Sequence, residues 1–236
     1  MKKIIALCVA CLLAVACFAG CTPEEEVPQK TAQDMYKPVW LGDTVYEESL
    51  VVVEEADGTK VGKLLYEPTE IIRVNDYTLK EEYAASEYRI EGKNLILTET
   101  STMPYLTYEQ YYEADITDMP GMQTQTGSEP GRNILFTESA SLLRYHVNVT
   151  YRHADTWQGT VPVYQGDKLP NTMKKLKEDK SLSLFMTGDS IAAGCSSSAL
   201  LNIEPFRPSF GVGFELELES WYDADVEFEN KAVGGW

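Results

Sequence analysis

Histidine and basic residues are scarce in this sequence of 236 residues. It contains two histidines, too few for a His-rich metal site or for a proton relay of several imidazoles. Its 20 lysines and arginines are outnumbered by 37 aspartates and glutamates, and the formal charge is -17. Nucleic-acid binding needs clustered lysine and arginine to neutralise phosphates. The sequence therefore predicts no nucleic-acid partner, and acid–base chemistry has very few imidazoles to draw on.

Long apolar runs are also lacking, except at the N-terminus. Lys2 and Lys3 precede an apolar run from Ile4 to Ala19, which is shorter than the ~18 residues expected of a spanning helix. This pattern predicts a secretory signal peptide over residues 1–20. The whole chain is 44% hydrophobic and 11% aromatic, so the exported part can bury a core.

The residues around Cys21 resemble the lipobox of bacterial lipoproteins. Small residues, Ala19 and Gly20, directly precede this cysteine, and a polar segment with three glutamates follows it. The resemblance implies cleavage before Cys21, acylation of Cys21, and an extracytoplasmic protein held on the bacterial cell membrane by its lipid. Cys17 is a weaker alternative anchor, and an ordinary cleaved signal is the competing interpretation. Residues 21–35 predict a flexible tether.

Cysteine is otherwise almost absent. Beyond residue 21 the sequence contains only Cys195, which excludes a disulfide framework. We expect Cys195 to be a small buried apolar residue in a helix rather than a nucleophile. No metal-ligand spacing occurs, so neither a metal site nor a cofactor is predicted.

Residues 36–168 have the pattern of a β-domain. Short segments rich in β-branched and aromatic residues alternate with turn signals, without a long amphipathic helix. The predicted strands include residues 50–53, 63–66, 71–74, 94–97, 133–136 and 145–151. Strands of this length and spacing are typical of a β-sandwich or jelly roll.

Aromatic residues of the β-domain offer stacking faces for sugar rings. Such clusters are nonetheless more often part of a core. The residues concerned are Tyr105, Tyr108, Tyr111, Tyr112, Trp40 and Trp157. The sequence does not identify a substrate-binding residue among them.

The pattern changes after Pro170. Residues 169–180 predict a short linker helix, and residues 181–187 form a nearly continuous apolar strand. Residues 208–222 fit either a strand or a helix. We expect a helix, because residues 225–230 predict a second strand and parallel neighbours need a crossover connection.

The first of two short motifs follows the strand at 181–187. It reads Gly188-Asp189-Ser190-Ile191, with Gly194 three residues later. A serine in a turn between a strand and a helix exposes its hydroxyl near backbone N–H groups that can stabilise developing negative charge. The second motif is Asn230-x-Ala232-x-Gly234-Gly235.

Together these motifs resemble the first two blocks of the SGNH (GDSL-type) hydrolases. The resemblance implies a three-layer, flavodoxin-like α/β domain, of which residues 181–236 would be the β-α-β start. It implies a serine esterase without metal or cofactor. By position, Ser190 would be the nucleophile, and the backbone N–H groups of Ser190 and Gly235 would be oxyanion-hole donors. Asp189 would have a structural role.

Two further blocks of that family are missing from the sequence. A Gly-x-Asn-Asp block would supply another oxyanion donor, and an Asp-x-x-His block would supply the base and its orienting acid. His146 and His153 both precede Ser190, and we expect His153, close to Asp155, to be structural. We therefore expect the natural polypeptide to continue past Trp236, and the chain as given to have at most residual activity.

The domain order resembles that of exported carbohydrate esterases, in which a jelly roll precedes an SGNH domain. This resemblance implies an acylated carbohydrate or small ester as substrate, from which acetyl or other acyl groups are removed. The alternative is a non-catalytic surface lipoprotein whose β-domain binds glycan or protein.

Overall fold

A computed structural model describes residues 37–137 and 139–235 of the chain. Over these ranges the protein is mainly β, with several antiparallel sheets and few helices, as the sequence predicted. The predicted signal peptide, the lipidation site Cys21 and the tether lie outside the described residues. No helix in the described ranges is long and apolar enough to cross a membrane.

The elements are numbered along the chain. The strands are β1 (Thr44–Val51), β2 (Val53–Glu54), β3 (Lys60–Lys63), β4 (Pro68–Asn75), β5 (Tyr88–Glu91), β6 (Asn94–Leu97), β7 (Thr124–Thr126), β8 (Asn133–Leu135), β9 (His146–His153), β10 (Ser181–Met186) and β11 (Asp225–Asn230). The helices are α1 (Tyr108–Tyr112), α2 (Ala140–Leu143), α3 (Pro170–Lys174), α4 (Ser190–Ala193) and α5 (Phe210–Tyr222). A single π-helical turn, Lys175–Asp179, continues α3 over the predicted linker.

Two antiparallel sheets form the body of the β-domain. One has the order β1-β9-β4, and the other has the order β2-β3-β6-β5. Strand β9 lies at the centre of the first sheet and is rich in β-branched residues, which pack well on a pleated surface. Strands β7 and β8 form a separate hairpin.

The two sheets share one hydrophobic core. Val74, Val147 and Val149 from the first sheet are fully buried and belong to the same cluster as Leu95 from the second. The chain passes from β1 to β2, and so from one sheet to the other, at the fully buried Val52. This shared core is the arrangement expected of sheets packed face to face.

A partly buried polar cluster joins the first sheet to the segment between β3 and β4. The Tyr151 hydroxyl donates to Glu48 Oε2 at 2.6 Å, and the Leu65 N–H donates to Glu48 Oε1 at 2.9 Å. The Tyr66 N–H donates to the Tyr151 hydroxyl oxygen at 3.2 Å. Burial raises the pKa of Glu48, and these hydrogen bonds oppose that effect only in part. Burial also raises the pKa of Tyr151.

The raised pKa of Glu48 predicts a pH dependence of stability. A carboxyl group whose pKa is higher in the folded state stabilises the protein fully below its ordinary pKa of 4.5, and this contribution falls as the pH rises through the folded-state pKa. The Glu48→Gln variant lacks this titration. From pH 4 to pH 7, urea unfolding should therefore show wild type losing stability relative to Glu48→Gln. Glu99→Gln, at an exposed turn, is the matched control; a Glu48→Gln profile parallel to wild type would contradict the prediction.

The C-terminal part contains the predicted helix and second strand. Strands β10 and β11 pair in parallel, with Met186 opposite Asn230. Helix α5 forms the crossover between them. Gly211 of α5 lies so close to the sheet that a Cβ at this position would be 2.7 Å from Phe228. The expectation of a helix over residues 208–222 is thus confirmed for Phe210–Tyr222.

Candidate functional site

The two sequence motifs lie together at one edge of the parallel strand pair. The first follows the end of β10, and the second begins at the last residue of β11. Because Met186 and Asn230 are opposite each other, both segments leave the sheet at the same point. The carboxyl edge of parallel strands is where α/β proteins commonly place their ligands.

The turn before Ser190 is built by a glycine and a capping aspartate. Gly188 has φ +155°, a conformation that side chains with a Cβ rarely adopt. Asp189 is the N-cap of α4, and its Oδ1 accepts a hydrogen bond from the Ile191 N–H at 3.1 Å. Ser190 is therefore the first residue of the helix. Asp189 has the structural role that the sequence predicted.

Asn230 fixes the second motif against the first. Its Nδ2 donates to the carbonyl of Ala192 at 2.8 Å, and its Oδ1 accepts from the Ala232 N–H at 2.9 Å. The Val233 N–H also donates to the carbonyl of Gly188 at 3.1 Å. Sequence reasoning placed Asn230 in the motif without assigning this role. The sequence offered one signal for this role. An asparagine at the end of a strand can accept a hydrogen bond from the backbone N–H two residues later.

The glycine pair of the second motif lies next to the serine. A Cβ on Gly234 would be 3.7 Å from Ser190 Cβ, so the Gly234 backbone packs against Ser190. Gly235, the predicted oxyanion donor, follows with φ +86° and open space around its Cα. The structure thus brings Ser190 and the Gly234-Gly235 segment together.

An open pocket of about 400 Å³ lies beside this turn. Thr187, Gly188 and Asp189 form one wall, and Lys231 and Val233 form the other. Both motifs therefore contribute to a single depression at the edge of the sheet. Ser190 and the glycine pair are not among the residues that line it.

Neither histidine contacts Ser190. His153 is buried, stacks on Tyr66 at 3.9 Å between ring centroids, and places Nδ1 3.1 Å from the carbonyl of Asp155. His146 Nδ1 lies 3.1 Å from Ser49 Oγ, and burial lowers the pKa of this imidazole. Both rings are thus engaged within the β-domain. In the described part of the chain, no hydrogen-bonding partner reaches the Ser190 hydroxyl.

Cys195 lies in a turn rather than in a helix. Helix α4 ends at Ala193, because Gly194 takes up a left-handed conformation with φ +92°. The Cys195 thiol is free, and the residue is half-buried. The expectation of a buried cysteine in a helix was wrong, because the helix after Ser190 is a single turn.

The predicted aromatic cluster divides into separate groups. Tyr105 packs on the core, with Lys60 Nζ 4.0 Å above its ring, and Trp40 pairs with Trp157 at 6.4 Å. The remaining tyrosines lie on α1, where the ring centroids of Tyr111 and Tyr112 are 5.0 Å apart.

Tyr111 and Tyr112 of α1 line a second pocket, of about 420 Å³. Glu55 and Lys63 line it with them, and the Tyr112 hydroxyl donates to Glu55 Oε2 at 3.0 Å. Tyr111 is 46% exposed. An exposed ring beside a carboxylate and an ammonium group is a chemically suitable surface for a sugar.

Comparisons with known proteins found no matching family model, no matching curated protein and no matching solved structure. Over residues 37–137 and 139–235 there is also no group of three histidine, cysteine or acidic side chains that could hold a metal ion. The function must therefore be inferred from the chemistry of the residues around Ser190.

Proposed function

We propose that the protein is a serine ester hydrolase of the SGNH type. The observation that carries the proposal is the packing of the Gly234 backbone against Ser190, at 3.7 Å from its Cβ to a Cβ built on the glycine. This contact joins two motifs that are distant in sequence and that each match a block of that family. The parallel pairing of β10 and β11 with a helical crossover supports it.

In this proposal Ser190 Oγ attacks the ester carbonyl carbon and forms a tetrahedral oxyanion. The backbone N–H groups of Ser190 and Gly235 donate to that oxyanion, and one such donor is typically worth ~3 kcal/mol. Loss of the alcohol leaves an acyl-serine, which water hydrolyses to the free acid and the serine. The hydroxyl needs a base to become a strong nucleophile. His146 and His153 are held within the β-domain, so neither is proposed as this base.

The proposed organisation has a tethered β-domain before the catalytic domain. Residues 36–168 would form a β-sandwich or jelly roll, residues 169–180 a linker, and residues 181–236 the start of a flavodoxin-like SGNH domain. The core shared by the two antiparallel sheets supports the first assignment. The proposed substrates are acylated carbohydrates or small esters. The proposed location is the outer surface of a bacterial cell membrane, with Cys21 as the lipid anchor.

A second candidate is a non-catalytic surface lipoprotein whose β-domain binds glycan or protein. The pocket lined by Glu55, Lys63, Tyr111 and Tyr112 favours it, because an exposed aromatic ring and two charged groups converge there. The two candidates differ in the reactivity that they require of Ser190.

Covalent labelling distinguishes them. The product of the complete open reading frame is treated with a fluorophosphonate probe, and modified peptides are identified by mass spectrometry. The esterase proposal expects the label on Ser190, and none on Ser183, an exposed serine of β10. An activated serine reacts with such electrophiles, whereas an ordinary hydroxyl does not. A folded protein that stays unlabelled at Ser190 would favour the binding protein.

A further inference from the structure

The loop between the two motifs is held to the β-domain by a shared carboxylate. Residues 195–209 connect α4 with α5 and are called the connecting loop below. The Arg207 guanidinium, near the end of this loop, contacts Glu47 Oε2 on β1. Arg73 Nη2, on β4, lies 3.8 Å from Glu47 Oε1. One carboxylate is therefore shared by a guanidinium from the connecting loop and another from the sheet.

This contact is better shielded than another ion pair between the connecting loop and the β-domain. The Glu47 side chain is 12% exposed, whereas Lys80 and Glu204, whose charged atoms are 2.7 Å apart, are 66% and 34% exposed. Charges shielded from water attract each other more strongly, and exposed pairs contribute little. Glu47 is thus a well-shielded electrostatic link between the connecting loop and the β-domain.

The backbone of β1 is distorted where it presents Glu47. The register of β1 against β9 shifts between Val45 and Glu48, and Glu47 has φ +52°. The Glu47 N–H donates to Thr150 Oγ1 at 3.1 Å. A residue with a Cβ is uncommon in this conformation and stays there only when its surroundings hold it. Irregularities of this kind change the direction of a side chain from the one it would have in a regular strand.

The connecting loop is closed on itself at Arg207. The Arg207 N–H donates to Ser198 Oγ at 2.7 Å, and its carbonyl accepts from the Ala199 N–H at 3.0 Å. Ser198 is buried. These bonds hold Ser198 and Ala199 next to Arg207. A displacement of Arg207 would therefore also displace the first half of the connecting loop.

The loop in turn contacts the helix that begins at Ser190. Gly194, which ends that helix, is so close to Ser209 that a Cβ on it would lie 2.6 Å from Ser209 Cβ. The Cys195 N–H donates to the carbonyl of Ser190 at 3.0 Å. A short chain of contacts therefore runs from Glu47 through Arg207 and the connecting loop to Ser190.

We propose that Glu47 of the β-domain is a positioning residue for Ser190. The inference rests on the proposed function, since it concerns the placement of that nucleophile. Glu47 holds Arg207, Arg207 holds the connecting loop, and the loop supports the turn. A misplacement of about 1 Å at a reacting group can lower turnover by about 100-fold. The β-domain is then part of the framework of the site and not a separate module.

Kinetics on the product of the complete open reading frame test this role. We expect Glu47→Gln and Arg207→Ala each to lower kcat for p-nitrophenyl acetate about tenfold, with less than a twofold change in KM. The loss in the double variant should be smaller than the two single losses combined, because both substitutions break the contact between Glu47 and Arg207. Arg207→Lys, which keeps the charge, should retain most of the activity. The matched control Lys80→Ala should change kcat less than twofold, and a wild-type kcat in Glu47→Gln overturns the proposal.

Hydrogen exchange separates failure of this inference from failure of the proposed function. Glu47→Gln should raise the rate of amide hydrogen exchange at least about tenfold in peptides covering residues 188–209. Lys80→Ala should leave this rate unchanged. If the protein shows this exchange pattern but has no esterase activity, the proposed reaction is excluded. The structural link from Glu47 to the turn is then still supported. Unchanged exchange would refute the link itself. If Glu47→Gln does not fold, Arg207→Ala, which leaves Glu47 with Arg73, gives the same comparison.

Discussion

Replacing Ser190 by alanine is expected to lower kcat/KM for p-nitrophenyl acetate by at least about 1,000-fold in the product of the complete open reading frame. The substitution removes the only atom that forms the covalent acyl intermediate. It leaves the α4 backbone and its aspartate cap intact, because Asp189 Oδ1 bonds the Ile191 N–H and not the serine side chain. Steady-state hydrolysis at neutral pH, followed by release of p-nitrophenol, measures the effect.

The control for this loss is Ser183→Ala. Ser183 is an exposed serine on β10, and its hydroxyl is 3.4 Å from Glu227 Oε2, away from the turn. Its removal should change turnover less than twofold and leave the unfolding midpoint close to that of wild type. Equal turnover of Ser190→Ala and wild type would exclude Ser190 as the nucleophile.

Gly188→Ala is expected to have the second largest effect. A Cβ at this position would lie 2.7 Å from Ala192 Cβ, and φ +155° is unfavourable for alanine. The backbone strain costs about 1–3 kcal/mol, and relief of the overlap has to move the turn that carries Ser190. We expect about a 100-fold loss of kcat, because the nucleophile is displaced by a distance of the order of 1 Å. Urea unfolding and steady-state kinetics measure the two effects separately.

Gly58→Ala controls for backbone strain alone. Gly58 has φ +82°, and a Cβ there would have nothing within 4 Å. This variant should lose about 1 kcal/mol of stability with wild-type turnover. If Gly188→Ala resembles Gly58→Ala in both measurements, the turn does not depend on the close approach of Gly188 to α4.

The sequence predicted most strands, but it placed one of them where the structure has an irregular segment. The segment 63–66 was expected to be a strand, whereas β3 ends at Lys63. Leu64 and Tyr66 are buried because they fill the shared core from an irregular segment, so their apolar character does not come from a ladder. Apolar periodicity reports burial, and it cannot tell a strand from a loop that is packed between sheets.

The helix and second strand of the C-terminal part were predicted because their signals are local. Residues 225–230 alternate in polarity, and a parallel partner requires a crossover. The neighbourhood of Ser190 and Gly234 followed from that topology. The contact of Arg207 with Glu47 had no such signal, because the two residues are 160 positions apart and neither belongs to a motif. Only the tertiary structure places these charges together.

The pairing of β1 with β9 has a consequence for how the protein is made. Thr44 pairs with Arg152. After β1 has been synthesised, ~100 more residues must therefore be added before it can pair with β9. Loop closure over that distance is entropically costly and makes the sheet slow to form. Until β9 arrives, the apolar faces of β1 and β4 have no central strand between them. A delay of this kind would expose the nascent β-domain to aggregation and to chaperones.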